Sequence, residues 1–282
     1  MSLPSLKEIV AVFNKEPVPH NLRPYILGDY SSIASCPESI NVSGTKLDFV
    51  IRHFDRVARA TYRKLPSDSW LEIYQNGYDV EGDLVMGPIN KGGEAKSSFI
   101  LRNANEPRTD RKKIYIQSHP TPQIYSPDDL ASLCMGKNPD IYFGNEDHWV
   151  VPPLRAFMLR TIQGDMYMAL ATEETPTITS EQALQDGIGR TDEARGTKRR
   201  IIKSIWDELK ENYPLTSEFV GINTRTETNF PIDATERGIE LINYQWALDV
   251  SEKYQTPIYR APRGRSLFRR TTTVQDHFKR LA

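Results

Sequence analysis

The sequence predicts an α+β domain in which helices flank a single sheet, followed by a helical region and a basic tail. Three patterns point there. Apolar residues recur at helical spacing over 45–62, short β-rich runs bounded by turn residues fill 70–172, and helical spacing returns after Glu173. The 282 residues accordingly divide into an N-terminal arm (1–43), the α+β domain (44–172), a helical region (173–255) and a tail (256–282).

In the arm, a short amphipathic helix over 5–13 precedes Pro17, Pro19, Pro24 and Pro37, each of which lacks an N–H and fixes φ, so regular structure stops. The domain opens on Leu47, Val50, Ile51, Phe54, Val57 and Ala58, which share one face of a helix that Thr45 can cap with Asp48 three residues on. The opposite face carries Arg52, Arg56, Arg59 and Arg63, a solvated stripe or a contact for an acidic partner. Strands are predicted at 70–75, 83–86 and 98–101, with Asn76-Gly77 as the hairpin turn between the first two. Further strands follow at 113–118 and 140–144 with a short helix over 130–133 between them, then a pair at 154–160 and 166–170. In the helical region, Ala194, Ile201, Ile202, Ile205, Trp206 and Leu209 predict one helix ending before Pro214. Ile239, Ile242, Trp246 and Val250 predict another ending before Pro257.

Composition excludes several classes. Hydrophobic residues at 38% supply enough apolar surface for a core, so wholesale disorder is not expected. No apolar run approaches the ~18 residues of a membrane span, and the opening MSLPSLKEIVAVFNKE lacks the features of a secretory signal, so no membrane association and a cytoplasmic location are expected. Cys36 and Cys134 are too few for a disulfide framework or a cysteine-built zinc site, and read as reduced thiols. The net charge of −1 excludes a chain that is polycationic throughout. Yet the tail alone holds seven basic residues against one acid. It is expected to be an arm that adds little to the fold and meets an acidic protein or nucleic acid through Arg263, Arg265, Arg269 and Arg270 around Phe268. There is neither a phosphate-binding Gly-rich loop nor a Gly-x-Ser-x-Gly elbow.

The segment most suggestive of chemistry is the β-rich run 113–118 leading into His119-Pro120 and then Ser126-Pro127-Asp128-Asp129-Leu130. Proline stops the ladder, so the imidazole projects at a strand end, and Ser126 can cap a helix that carries Asp129 in its first turn. His119 and Asp129 brought together can share a metal, or simply hydrogen bond to each other.

Gln117-Ser118-His119-Pro120 followed by Ser126-Pro127-Asp128-Asp129-Leu130 resembles the JAMM (JAB1/MPN/Mov34) signature, His-x-His-Pro followed by Ser-x-x-Asp. The order of predicted elements over 44–172 is similar to that family's domain. The resemblance implies a JAMM/MPN-like sheet and a zinc-dependent isopeptidase or peptidase acting on a protein or peptide. Its metal ligands would be His119 and Asp129, with Ser126 steadying the substrate oxyanion. The general base would be Glu72 on the first hairpin strand, with Glu81 on the second as the alternative. One departure is chemical: Gln117 stands where the family has its first histidine ligand. A neutral amide oxygen is a poor zinc ligand beside imidazole, so zinc should be weak or absent. His148 is the residue that could substitute, although a loop histidine is more often merely exposed. Two readings stay open. The first is a hydrolase impaired by Gln117. The second is a metal-free scaffold that binds a protein or nucleic acid through the helical region, where Arg195, Lys198, Arg199, Arg200 and Lys203 form a basic stripe, and through the tail.

Overall fold

Thr45 ends an extended segment and starts the first helix: its hydroxyl accepts from Asp48 N–H at 3.3 Å, while the Asp48 carboxylate accepts from Gly44 N–H at 3.1 Å. These bonds satisfy donors that a helix start leaves open, and α1 runs over Lys46–Tyr62 as its periodicity predicts. Leu47, Val50, Ile51, Phe54 and Ala58 are buried. Two arginines of the stripe are paired with acids of the same helix, Arg52 with Asp48 and Arg59 with Asp55, and Arg56 contacts His53.

The computed structural model describes residues 27–63, 72–80, 83–87, 89–91, 113–119, 124–125, 129, 133–134, 154–162, 164–176, 219–221, 229–264, 273–274 and 277–281. The helices predicted at 5–13 and around Trp206, and the strands at 98–101 and 140–144, lie outside them. In chain order the strands are β1 (Ser39–Asn41), β2 (Ile73–Val80), β3 (Asp83–Met86), β4 (Asn90–Lys91), β5 (Lys113–Ser118), β6 (Leu154–Arg160), β7 (Met166–Leu170), β8 (Phe219–Gly221), β9 (Asn229–Pro231), β10 (Ile258–Ala261), β11 (Arg263–Gly264), β12 (Thr273–Val274) and β13 (His277–Arg280). Helix α2 spans Ile232–Tyr254. Among the described residues, nine strands form one mixed sheet in the order β1-β13-β10-β7-β6-β5-β2-β3, with β4 also paired to β2. Its β5–β6 pair is parallel and its other pairs are antiparallel. β8 pairs with β9, and β11 with β12, outside it.

The sheet is covered on both faces. Ile114, Ile116, Ala156, Met158, Met166 and Met168 pack with α1. Their neighbours Tyr115, Phe157, Leu159, Tyr167 and Ala169 pack instead with Trp246, Ala247 and Val250 of α2 and with Ile124, Tyr125 and Leu133. Coverage on both sides explains why β5, β6 and β7 read as nearly continuous apolar runs. Trp246 Nε1 donates to the Tyr125 carbonyl at 2.9 Å, and Tyr125 in turn donates to the Phe157 carbonyl at 2.7 Å. This chain of bonds ties α2 to the sheet. Helix α2 ends before Pro257 as expected. Gln255 takes a left-handed φ of 49°, and its carbonyl accepts from the Thr172 and Thr175 hydroxyls, each at 2.9 Å. Among the described residues no helix is long and apolar enough to cross a membrane.

Two expectations need correction. Asn76-Gly77 is not a turn: both residues lie inside β2, and the chain reverses between Val80 and Asp83, which are directly paired. Gly77 packs closely under the partner strand, and a Cβ there would make the Met86 side chain shift. The tail is not a detached arm either. β10 lies between β7 and β13, and β13 pairs with β1, so segments expected in the arm and in the tail build the main sheet. Ile258, Tyr259, Ala261 and Phe278 are buried. Two of the tail's arginines pair with acids elsewhere in the chain: Arg260 with Asp165 at 2.7 Å, and Arg280 with Glu38. The sheet therefore crosses the expected boundaries at 43 and 255, and the region over 173–255 contains β8 and β9 as well as α2.

Candidate functional site

β5 stops at Ser118, and the next residue extends the ladder by one bond, His119 N–H donating to the Arg160 carbonyl at 2.8 Å. Strand alternation turns Tyr115, Gln117 and His119 toward the α2 side and Ile114, Ile116 and Ser118 toward α1. On the neighbouring strand Ile73 is opposite Ser118 and Tyr74 opposite Gln117. The register brings Glu72 to the same end of the sheet, where Gln117 Nε2 donates to Glu72 Oε2 at 3.0 Å. Asp129 is helical, and its Oδ2 lies 3.4 Å from His119 Nε2.

Gln117, His119 and Asp129 are only 3%, 7% and 9% exposed. Polar groups so deeply buried are expected to have defined partners. The His119–Asp129 distance exceeds the usual 2.7–3.2 Å of an N–H···O bond. Two ligands of a tetrahedral zinc ion, each about 2.0–2.1 Å from the metal, stand about 3.4 Å apart. The separation thus suits two ligands of one ion. Gln117 would add a neutral amide oxygen on the same strand face. Among the described residues no group of three or more His, Cys, Asp or Glu side chains is arranged to hold a metal. The described residues thus supply two such donors, His119 and Asp129, with the Gln117 amide beside them, and do not by themselves complete a zinc site.

The opposite face of the same strand end is also polar. Tyr62, the last residue of α1, places its hydroxyl 2.6 Å from Ser118 Oγ and 3.2 Å from the Ser118 carbonyl oxygen. Ser118 Oγ lies 3.3 Å from Ile73 N and 3.4 Å from the Ile73 carbonyl oxygen. Burial pushes the Tyr62 phenol up to about 12; the Ser118 hydrogen bond and the Arg160 charge oppose the shift, and the Glu72 carboxylate adds to it. Beside it, Asp55 Oδ1 receives Arg160 Nε at 2.7 Å and Asp55 Oδ2 faces an Arg59 guanidinium nitrogen at 2.7 Å. Sequence reading missed Tyr62, Asp55 and Arg160. Asp55 did leave a signal, since it is a charged residue on the apolar side of α1, where Phe54 and Ala58 are buried.

Of the residues singled out in the sequence, Glu72, Gln117, His119 and Asp129 come together. Glu81, Ser126, His148, Arg265, Arg269 and Arg270 lie outside the described residues, and Arg263 begins β11, paired with Val274. Searches of protein-family models, curated proteins and solved structures found no match to this chain.

Proposed function

We propose that this chain is a JAMM-like hydrolase of isopeptide or peptide bonds whose divalent-metal centre is weakened by Gln117. The observation that carries the reading is the 3.4 Å approach of His119 Nε2 to Asp129 Oδ2, beside Glu72 at a buried strand end. His119 and Asp129 would hold the ion, and a bound zinc supplies a water whose pKa is lowered to about 7. Glu72 is the group to take a proton from the attacking water and return it to the departing amine. Gln117 keeps the Glu72 carboxylate oriented, and Ser126 would serve the oxyanion.

A second reading is favoured by one contact. The Gln117 amide engages the very carboxylate that would act as base, which suits a metal-free member of the fold that binds a protein or nucleic acid without hydrolysing it. Calorimetry with zinc separates the two. The hydrolase reading expects weak binding by the wild type, at least tenfold tighter binding by Gln117→His, and zinc-dependent cleavage of an isopeptide-linked substrate that Glu72→Gln abolishes. Absence of cleavage at saturating zinc would leave the binding role.

A further inference from the structure

We infer that Tyr62 and Ser118 are positioning residues for Glu72, acting from the sheet face opposite Gln117 and His119. The expected effect on rate rests on the hydrolase reading; the expected effect on geometry does not.

A serine hydroxyl has one proton to give and two lone pairs to receive with. Ser118 Oγ has three partners: the Ile73 carbonyl oxygen at 3.4 Å, Ile73 N–H at 3.3 Å and Tyr62 OH at 2.6 Å. The Tyr62 hydroxyl is the close partner, and the two Ile73 backbone groups sit at the long end of hydrogen-bond range, so one hydroxyl lies against both of them while α1 holds it in place. Burial and the nearby Glu72 charge keep Tyr62 protonated and able to donate. Both backbone polar groups of Ile73 are therefore gripped by one side chain, and that side chain is held by the end of α1.

Glu72 is the residue immediately before Ile73. Its carboxylate is met on the α2 side by Gln117, so its backbone and its side chain are contacted from opposite faces of the sheet. Ser118 is fully buried, so bulk water has no ready access to replace a deleted hydroxyl. A displacement of about 1 Å at a reacting group can cost about a hundredfold in rate. Ser118 and Tyr62 lie on the face opposite Gln117 and His119, so the consequence should fall on turnover and spare substrate affinity.

The test uses the full chain saturated with zinc, as wild type, Tyr62→Phe, Ser118→Ala and the double variant. The expected result is a kcat lower by about ten- to a hundredfold with KM within about twofold. The double variant should fall no further than the deeper single one, because both residues act through one contact. Crystal structures of the variants should show Glu72 Oε2 withdrawn from Gln117 Nε2, which it meets at 3.0 Å in the wild type. Thermal melts establish that each variant is folded, and Tyr62→Phe carries the test should Ser118→Ala not fold. An unchanged kcat in folded variants, or an undisturbed Glu72–Gln117 contact, overturns the inference. If the wild type does not hydrolyse, the hydrolase reading fails and the position of Glu72 in the variant structures alone decides this one.

Discussion

The two faces of β5 handle polarity in opposite ways. Toward α1, Ile114 and Ile116 join an aliphatic and methionine-rich core, and the nearby polar groups are closed into pairs, Ser118 with Tyr62 and Arg160 with Asp55. Toward α2, Tyr115, Phe157 and Tyr125 meet edge to face, with centroids 5.0 and 5.3 Å apart. Beyond them Gln117 and His119 reach side chains from other segments, Glu72 and Asp129. One face fixes the backbone and the other displays groups with chemical potential. Their separation follows from strand alternation, since the adjacent residues Ser118 and His119 cannot share a face.

The largest change should come from breaking both faces at once. Truncation after Gln255 removes β10 and β13, and with them Ile258 from the α2 side and Tyr259 and Phe278 from the α1 side. Each large side chain of this kind contributes about 1.5–3 kcal/mol on full burial, against a typical net stability of about 5–15 kcal/mol. The truncated chain should show no cooperative unfolding transition by calorimetry, and a sharp transition near that of the full chain would mean that the remaining strands suffice. Next in size is a single change on the α1 side. Asp55→Ala leaves Arg160, 2% exposed, as an uncompensated buried charge, at a cost of about 3–5 kcal/mol in urea unfolding. Glu72→Gln on the α2 side should move the same transition by less than about 1 kcal/mol. If the two costs were reversed, the division of labour between the faces would be wrong.

A last effect appears only at alkaline pH. The folded-state pKa of Tyr62 is raised from 10.0 to about 12, so the fold favours the protonated phenol. Its contribution is fully present below pH 10 and is lost as pH rises from there through about 12. Wild-type stability should fall more steeply across that window than stability of Tyr62→Phe, with no difference in slope at neutral pH. Equal slopes in the alkaline range would show that Tyr62 ionises as freely in the fold as outside it.

Helix α1 was legible because its cap and its apolar spacing are local signals. Asn76-Gly77 misled because a hairpin dipeptide gives no account of what lies across the sheet, where Gly77 packs against the Met86 side chain of the partner strand. The tail misled for a related reason. A count of like charges omits distant partners, and Arg260 finds Asp165 95 residues away. At the candidate site, the convergence of His119 with Asp129 was readable from a strand end followed by a helix start. The Gln117–Glu72 bond depends on sheet register, and the Tyr62–Ser118 bond joins residues 56 positions apart, so neither was visible in local sequence.

The pairing of β1 with β13 also sets a timetable for synthesis. The ion pair between Glu38 and Arg280 spans 242 residues of chain, which at about 5–20 residues per second take roughly 12–50 s to emerge from the ribosome. Throughout that interval Ile40 and Val42, buried in the finished sheet, lack the strand that covers them. β7 likewise waits for β10, its neighbour in the finished order. A sheet whose central pairs are made first and whose flank closes last leaves open strand edges during translation. A nascent chain of this kind is a substrate for chaperones that bind extended apolar segments, and its yield in cells should respond to their supply even where the purified protein is stable.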